Sequence, residues 1–295
     1  MHKTIVLKDL KVSEVHSYLN HAIVPRPICF ASTIDAKGNV NLSPFSYFNL
    51  FGLHPPTVIF SPLTRTRDNT AKHTLQNVLE VPEVVINIVS YDMIQQMSLS
   101  SCEFPKGTDE FIKSGFKKDQ SVLIQPPRVQ ESSIQMECKV VEVKPAGNEG
   151  GSGNLIIAEV LMMHINEKIL DENGKIDQLK TDVVARLGGN WYARINAANL
   201  FEVEKPNRKL GIGMDNLPES IKNGKILTGN HLGQLANVHS LPVIDPAFED
   251  DTLKNIFQYY SLNPDEMERE LHLYAKDLLN GGRVTEAWQL LLALA

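Results

Sequence analysis

Hydrophobic and polar positions change partners at short range over the first two hundred residues, which is the signature of strands. Residues 28–34 (ICFASTI) are rich in β-formers, the turn residues DAKGN follow, and VNLSPFSYF resumes an extended pattern, so a hairpin is predicted. Pro55-Pro56 then stops the chain before an apolar strand, TVIFS, at 57–61. Between Asn69 and Glu80 the period lengthens. Ala71, Leu75, Val78 and Leu79 recur at helical spacing, and Asp68, Asn69 and Thr70 offer oxygens to cap a first turn, so a short helix is predicted to begin there.

EVVINIVS at 83–90 returns to strand, and YDMIQQMSLSS fits a helix of about three turns. Residues 103–128 carry turn formers and Pro126-Pro127 and read as a long excursion without regular structure. Two long strands are predicted at 134–144 and 154–166, joined by the Gly-rich AGNEGGSG, read as a flexible hairpin loop. Many strands with tight turns and only short helices between them predict a mainly β fold, an antiparallel barrel with short peripheral helices. GIG at 211–213 lacks the third glycine of a dinucleotide loop and follows no clear strand.

After about residue 200 the pattern becomes loop-rich, and residues 250–294 turn helical, with Gly281-Gly282 separating two helices. Leu290, Leu291, Leu292 and Leu294 there need a surface to cover. The expected organisation is a barrel domain over 1–204 and a C-terminal extension over 205–295, loop-rich and then helical.

Composition narrows the setting. A formal charge of −6 gives no cationic surplus for nucleic acid. The N-terminus lacks the uninterrupted apolar core of an export signal, and the longest apolar runs fall short of the roughly 20 residues that cross a bilayer. Cys29, Cys102 and Cys138 are odd in number and far apart, which fits a reducing, cytoplasmic compartment with buried thiols.

Three clusters could carry chemistry. The run from Ser61 through Arg65, Arg67, Thr70, Lys72 and Thr74 places cations and hydroxyls around a predicted helix start, where free N–H groups favour a phosphate; a solvated, well-capped helix start has the same composition. Ser32 and Thr33 on one strand, and Asn41, Ser43, Phe45 and Ser46 on the next, put small polar groups where a flat heteroaromatic ring could find edge hydrogen bonds, or where a hairpin meets water. Arg186-Leu-Gly-Gly-Asn-Trp191-Tyr192, with His164 on the strand before, has adjacent glycines that let a backbone approach a planar ligand or a neighbouring subunit. No metal-ligand or nucleophile template fits the scattered histidines and cysteines.

The ordered landmarks VPRPICFASTID (24–35), NLSPFSYFN (41–49), HPPTVIFSP (54–62), RDNTAKHTLQN (67–77), KGTDEF (106–111), PPRVQES (126–132) and RLGGNWY (186–192) resemble the flavin reductase-like, FMN-binding split-barrel family. That family includes flavoredoxin and the flavin reductase components of two-component monooxygenases. The resemblance implies FMN as cofactor and NAD(P)H as co-substrate. It implies ring and ribityl contacts from Ser32, Thr33, Asn41, Ser43, Phe45 and Ser46, and phosphate contacts from Ser61, Arg67, Lys72 and Thr74. It also implies a homodimer in which His164, Arg186, Trp191 and Tyr192 are candidate substrate or second-subunit contacts, and an onward acceptor such as a partner monooxygenase. His73 departs from the Lys-Asp-Thr that many relatives carry at this place. Three alternatives stay open: an FMN electron carrier without a nicotinamide site, a pyridoxamine phosphate oxidase-like enzyme, and a non-catalytic interaction protein on the same barrel.

Overall fold

The run at 28–34 becomes β1 (Cys29–Ile34), a strand buried along its whole length in the computed structural model. Cys29 and Ala31 on one face join a cluster with Leu75, Val84 and Ile86. Phe30 on the other face joins Leu42, Met97 and Phe111. A strand covered on both sides has no reason to alternate, so it reads as a continuous run. The structure describes every residue except 204, 207–209, 294 and 295.

The described residues divide into two units, Met1–Phe201 and Glu202–Ala295. In the first, β1 belongs to a seven-stranded antiparallel sheet with β2 (Val40–Phe45), β3 (Phe48–Leu53), β4 (Pro56–Phe60), β5 (Glu83–Ile88), β8 (Ile134–Pro145) and β9 (Asn154–Ile165). The hydrogen-bonded order is β2-β1-β5-β8-β9-β4-β3. Its terminal strands, β2 and β3, are consecutive in the chain and separated only by Ser46 and Tyr47. Two small hairpins complete the strands, β6 (Lys118–Asp119) with β7 (Arg128–Val129) and β10 (Val183–Arg186) with β11 (Tyr192–Ile195).

Helix α2 (His73–Glu80) seats Leu75 and Val78 on the Cys29 face of the sheet, while α3 (Ile94–Ser100) and α4 (Glu110–Ser114) bring Met97 and Phe111 to the Phe30 face. The 103–128 excursion therefore contains a short helix and the β6–β7 hairpin rather than irregular chain alone. Helix α1 (Val12–Ala22), which the sequence reading did not identify, buries only Asn20.

The second unit is helical: α5 (Glu219–Lys222), α6 (Gly229–Ala236), α7 (Asp251–Tyr259), α8 (Pro264–Asn280) and α9 (Val284–Leu292). Asn263 caps α8 by accepting from Glu266 N–H, with Pro264 in the first turn, and Gly282 takes the left-handed conformation (φ 74°) after its end. Leu290 and Leu291 find their surface inside this unit, in a core with Leu235, Leu271, Leu278 and Trp288. Each fully buried leucine contributes roughly 1.5–3 kcal/mol of hydrophobic stabilisation. Leu292 packs on the same core, and Leu294 lies outside the described residues. The expectation of a mainly β protein is corrected: across both units the chain is mixed, because among the described residues the strands lie in the first unit and the second is built from helices.

Candidate functional site

Helix α1, the β2–β3 corner and the loop after β4 border a cleft in the first unit with two adjoining lobes, of about 410 Å³ and about 770 Å³. His16, Asn20, Arg26, Tyr47, Leu63 and Lys72 border both lobes. Phe45, Ser46, Ser61, Arg186 and Gly189 belong to the smaller lobe. The larger adds Val12, Val15 and Leu19, at helical spacing on α1, and Arg65 and Arg67 from the loop.

That loop has a definite shape. The Asp68 carboxylate accepts from the Thr70 N–H (3.1 Å) and hydroxyl (2.6 Å), and Asn69 N–H donates to Arg65 O (2.9 Å) with Asn69 at φ 55°. These oxygens close a turn instead of capping a helix. The predicted helix start at 69 is thus corrected to His73, because Asp68 is spent on the turn; α2 begins after Lys72 with no side-chain cap. The Gly-rich β8–β9 connection is also corrected. It is pinned to the same loop by Thr64 N–H to Ser152 O (2.9 Å), Gly151 N–H to Thr64 O (2.8 Å) and Asn69 Nδ2 to Asn148 O (3.1 Å). A side chain at Gly150 would come within 2.9 Å of Thr66 Cα, which is why glycine stands there.

Cations dominate the cleft although the chain is acidic overall. Arg67 pairs with Glu103 (3.0 Å) and Asp68 (3.2 Å), and Arg65 with Glu103 (3.6 Å); Lys72 takes part in none of these ion pairs. Burial pushes the Lys72 ammonium below the usual lysine value, and Arg65 and Arg67 add to the shift while Glu103 offsets part of it. Beside Lys72 in the smaller lobe lies Ser61, whose buried hydroxyl has no hydrogen-bond partner among the described residues. An unpartnered hydroxyl and an ammonium without an ion pair fit an anionic oxygen ligand.

Arg26 is buried, at 7% exposure, and donates to Asn20 O (2.8 Å), Ile23 O (2.6 Å) and Leu187 O (2.9 Å), with Ser46 Oγ at 3.4 Å. It ties the end of α1 to the β2–β3 corner and to the RLGGNWY turn. Asn20 Nδ2 reaches the Tyr47 hydroxyl (3.1 Å), and the His21 ring occupies the place where a Gly188 side chain would be, 2.3 Å from its ideal Cβ. Gly188 therefore admits a histidine of the same chain.

Of the residues singled out from sequence, Phe45, Ser46, Ser61, Arg67, Lys72 and Arg186 meet at the cleft. Thr33 and Ser32 are consecutive on a strand and point to opposite faces, so one ligand cannot use both side chains. Thr33 Oγ1 accepts from Asn77 Nδ2 (3.2 Å), and Thr74 Oγ1 from Asn41 Nδ2 (2.9 Å), binding α2 to the β1–β2 hairpin away from the cleft. Ser32 is wholly buried with its hydroxyl unpartnered among the described residues, and Ser43, opposite Ala31 in the sheet, does not border the cleft.

His164 lies elsewhere. Its Nε2 meets the fully buried Glu137 at 2.7 Å, and that carboxylate also accepts from Val122 N–H (2.8 Å) and Leu123 N–H (2.7 Å), so the pair anchors the excursion. Trp191 is 73% exposed, and the Tyr192 ring lies 4.4 Å under the Arg186 guanidinium. The sequence reading passed over Arg26, Tyr47 and α1. Their signals were an arginine bracketed by Pro25 and Pro27, and the spacing of Val12, Val15 and Leu19.

A family model described as flavin reductase like domain matches residues 21–180, the stretch that holds Arg26, Ser46, Ser61 and Lys72. Over 189 residues the chain is 34% identical to an uncharacterized protein of Aquifex aeolicus (strain VF5), covering 64% of this chain and 94% of the relative. Its structure is similar to nitrilotriacetate monooxygenase component B from Bacillus cereus, with a TM-score of 0.64 and 25% identity over 69% of this chain and 99% of that one. The fold is also that of the 2-nitrobenzoate 2-nitroreductase NbaA of Pseudomonas fluorescens, with a TM-score of 0.63 and 24% identity over 72% of this chain and 100% of the other. No helix among the described residues is long and apolar enough to cross a membrane. The chain belongs to the flavin reductase-like family of flavin-related oxidoreductases.

Proposed function

We propose that the cleft binds FMN and that the protein is an NAD(P)H:flavin oxidoreductase. One observation carries this reading: Ser61, whose buried hydroxyl is unpartnered, and Lys72, which forms no ion pair among the described residues, border the same lobe. A phosphate dianion satisfies both, with Arg65 and Arg67 adding charge and the uncapped first turn of α2 offering N–H groups. Pro44, Phe45 and Ser46 supply the apolar and short polar wall that a flat ring requires. When bound, FMN supplies the two-electron redox chemistry, accepting hydride from the nicotinamide. The protein's own residues bind and orient. Arg26 fixes Ser46 and the end of α1, and α1 lines the larger lobe.

The sheet supports a split barrel as the scaffold. Laid flat, its six strand-to-strand steps would separate β2 from β3 by about 29 Å at ~4.8 Å each. Two intervening residues span no more than about 10 Å. The short Ser46-Tyr47 link between the two ends of the sheet supports a sheet that curls on itself. A homodimer in the cytoplasm, delivering electrons to a partner monooxygenase, completes the proposal; similarity to a monooxygenase component B supports that acceptor.

Titration with FMN and riboflavin, followed by NADH and NADPH oxidation, tests the reading. Saturable FMN binding that exceeds riboflavin binding, with flavin-dependent loss of NADH or NADPH absorbance, is expected. A protein with no affinity for FMN would reject it.

A further inference from the structure

The cleft contains a second set of cations that the flavin phosphate does not explain. Arg26 and Arg186 are joined by a two-hydrogen-bond backbone bridge, Arg26 N–H to Arg186 O (3.0 Å) and Arg186 N–H to Arg26 O (2.8 Å). Both border the smaller lobe. Arg26 donates to carbonyls and Ser46, and Arg186 to Gly189 O (2.5 Å) and Trp191 O (3.2 Å). Neither forms an ion pair among the described residues. Two guanidiniums neutralised only by dipoles form a site of uncompensated positive charge, in contrast to Arg65 and Arg67, which share Glu103.

The two residues divide the work. Arg26 has almost all of its donors spent and is buried, so it contributes charge from behind. Arg186 is half-buried, with its guanidinium 4.4 Å from the Tyr192 ring centroid; each terminal nitrogen donates one N–H to a carbonyl, which leaves Nε–H and one N–H on each terminal nitrogen for phosphate oxygens. Gly189 beside it carries no side chain to obstruct a ligand and borders the same lobe.

We propose that Arg186, backed by Arg26, is the recognition point for the pyrophosphate of the nicotinamide dinucleotide. This rests on the reading of the cleft as a flavin site and deepens it. FMN and NAD(P)H each bring a phosphate-based anionic group, and the cleft offers two cation groups of different make: Ser61 and Lys72 at an uncapped helix, and the Arg26–Arg186 bridge. The first has a hydroxyl and an ammonium for a terminal phosphate, the second a planar fork for a bridged one.

The test compares Arg186→Gln and Arg186→Lys with the wild type, using NADH, the phosphate-free donor 1-benzyl-1,4-dihydronicotinamide, FMN and riboflavin. For Arg186→Gln the KM for NADH should rise about tenfold or more, with the benzyl donor's KM and the FMN-to-riboflavin affinity ratio unchanged; Arg186→Lys should fall between. An equal rise for both donors would show that Arg186 merely positions the turn, and a fall in the FMN-to-riboflavin ratio would assign it to the flavin phosphate. Either result overturns the proposal. Calorimetric titration of NAD+ into the flavin-free protein gives a second readout. Weaker binding in Arg186→Gln supports the anion site even if FMN does not bind to the wild type, and unchanged binding overturns it.

Discussion

Two groups of polar residues, one on β1, β2 and α2 and the other in the loops that adjoin these elements and β4, meet opposite fates. Asn41, Thr74, Thr33 and Asn77 close a set of side-chain hydrogen bonds between α2 and the β1–β2 hairpin. Ser46, Ser61 and Lys72, on the neighbouring stretches, border the cleft, where Ser61 finds no hydrogen-bond partner and Lys72 no ion pair among the described residues. In the sequence the two groups look alike. They differ in whether the fold itself satisfies them: an interior polar group that is paired holds elements together, and one that borders a cleft without a partner is available to a ligand.

The largest effect that would sharpen this contrast lies at Glu137. Glu137→Ala removes a fully buried carboxylate from His164 and from two N–H groups, and should cost about 3–5 kcal/mol of stability in denaturant unfolding. Burial alone would raise the pKa of Glu137, but the Val122 and Leu123 N–H groups and His164 outweigh it and hold the carboxyl below the ordinary glutamate value. A depressed carboxylate contributes fully above its unfolded pKa and loses that contribution as pH falls through the lower folded value. Acid unfolding of the wild type should therefore steepen in this range, and Glu137→Gln should flatten the slope; parallel curves would show that the carboxylate does not carry it.

Next in size, Lys72→Ala should lower FMN affinity by roughly 1.5–3 kcal/mol, about ten- to 150-fold, while riboflavin affinity stays constant, because only FMN offers a charged partner. Equal losses for the two flavins would remove the distinction between the open and closed groups. FMN affinity should also decline with rising pH earlier than an ordinary lysine would dictate, since burial depresses the Lys72 ammonium.

Thr74→Val leaves Asn41 Nδ2 without its acceptor and should destabilise the fold by about 1–3 kcal/mol with the FMN-to-riboflavin ratio unchanged. A selective loss of FMN would instead move Thr74 from the closed group to the open one. The smallest effect on stability is expected from Ser61→Ala, within about 0.5 kcal/mol, since no hydrogen bond is lost. FMN binding should nonetheless weaken several-fold in that variant, which thermal unfolding and flavin fluorescence can measure on one sample.

Much of the fold was legible in the chain. The β1 run, the two long strands of the β8–β9 hairpin and the Gly281-Gly282 break all fall where hydrophobic period and turn chemistry put them. The start of α2 was misjudged because Asp68, Asn69 and Thr70 suit a cap and a turn equally, and the contact of this loop with the Gly-rich hairpin is not local. The site was half legible. Alternation along a strand could have separated Ser32 from Thr33, and the position of Arg26 between two prolines could have marked it. Nothing local showed that His164 would be taken by Glu137, a residue 27 positions away.

The sequence alone determined most of the segments that extend and those that coil into helices, because these follow from side-chain periodicity and backbone preference within a dozen residues. Only the tertiary structure decided which enclosed polar groups pair with one another and which remain available to a ligand. Hydrogen bonding and charge compensation depend on distances of about 3 Å between residues that the chain keeps far apart.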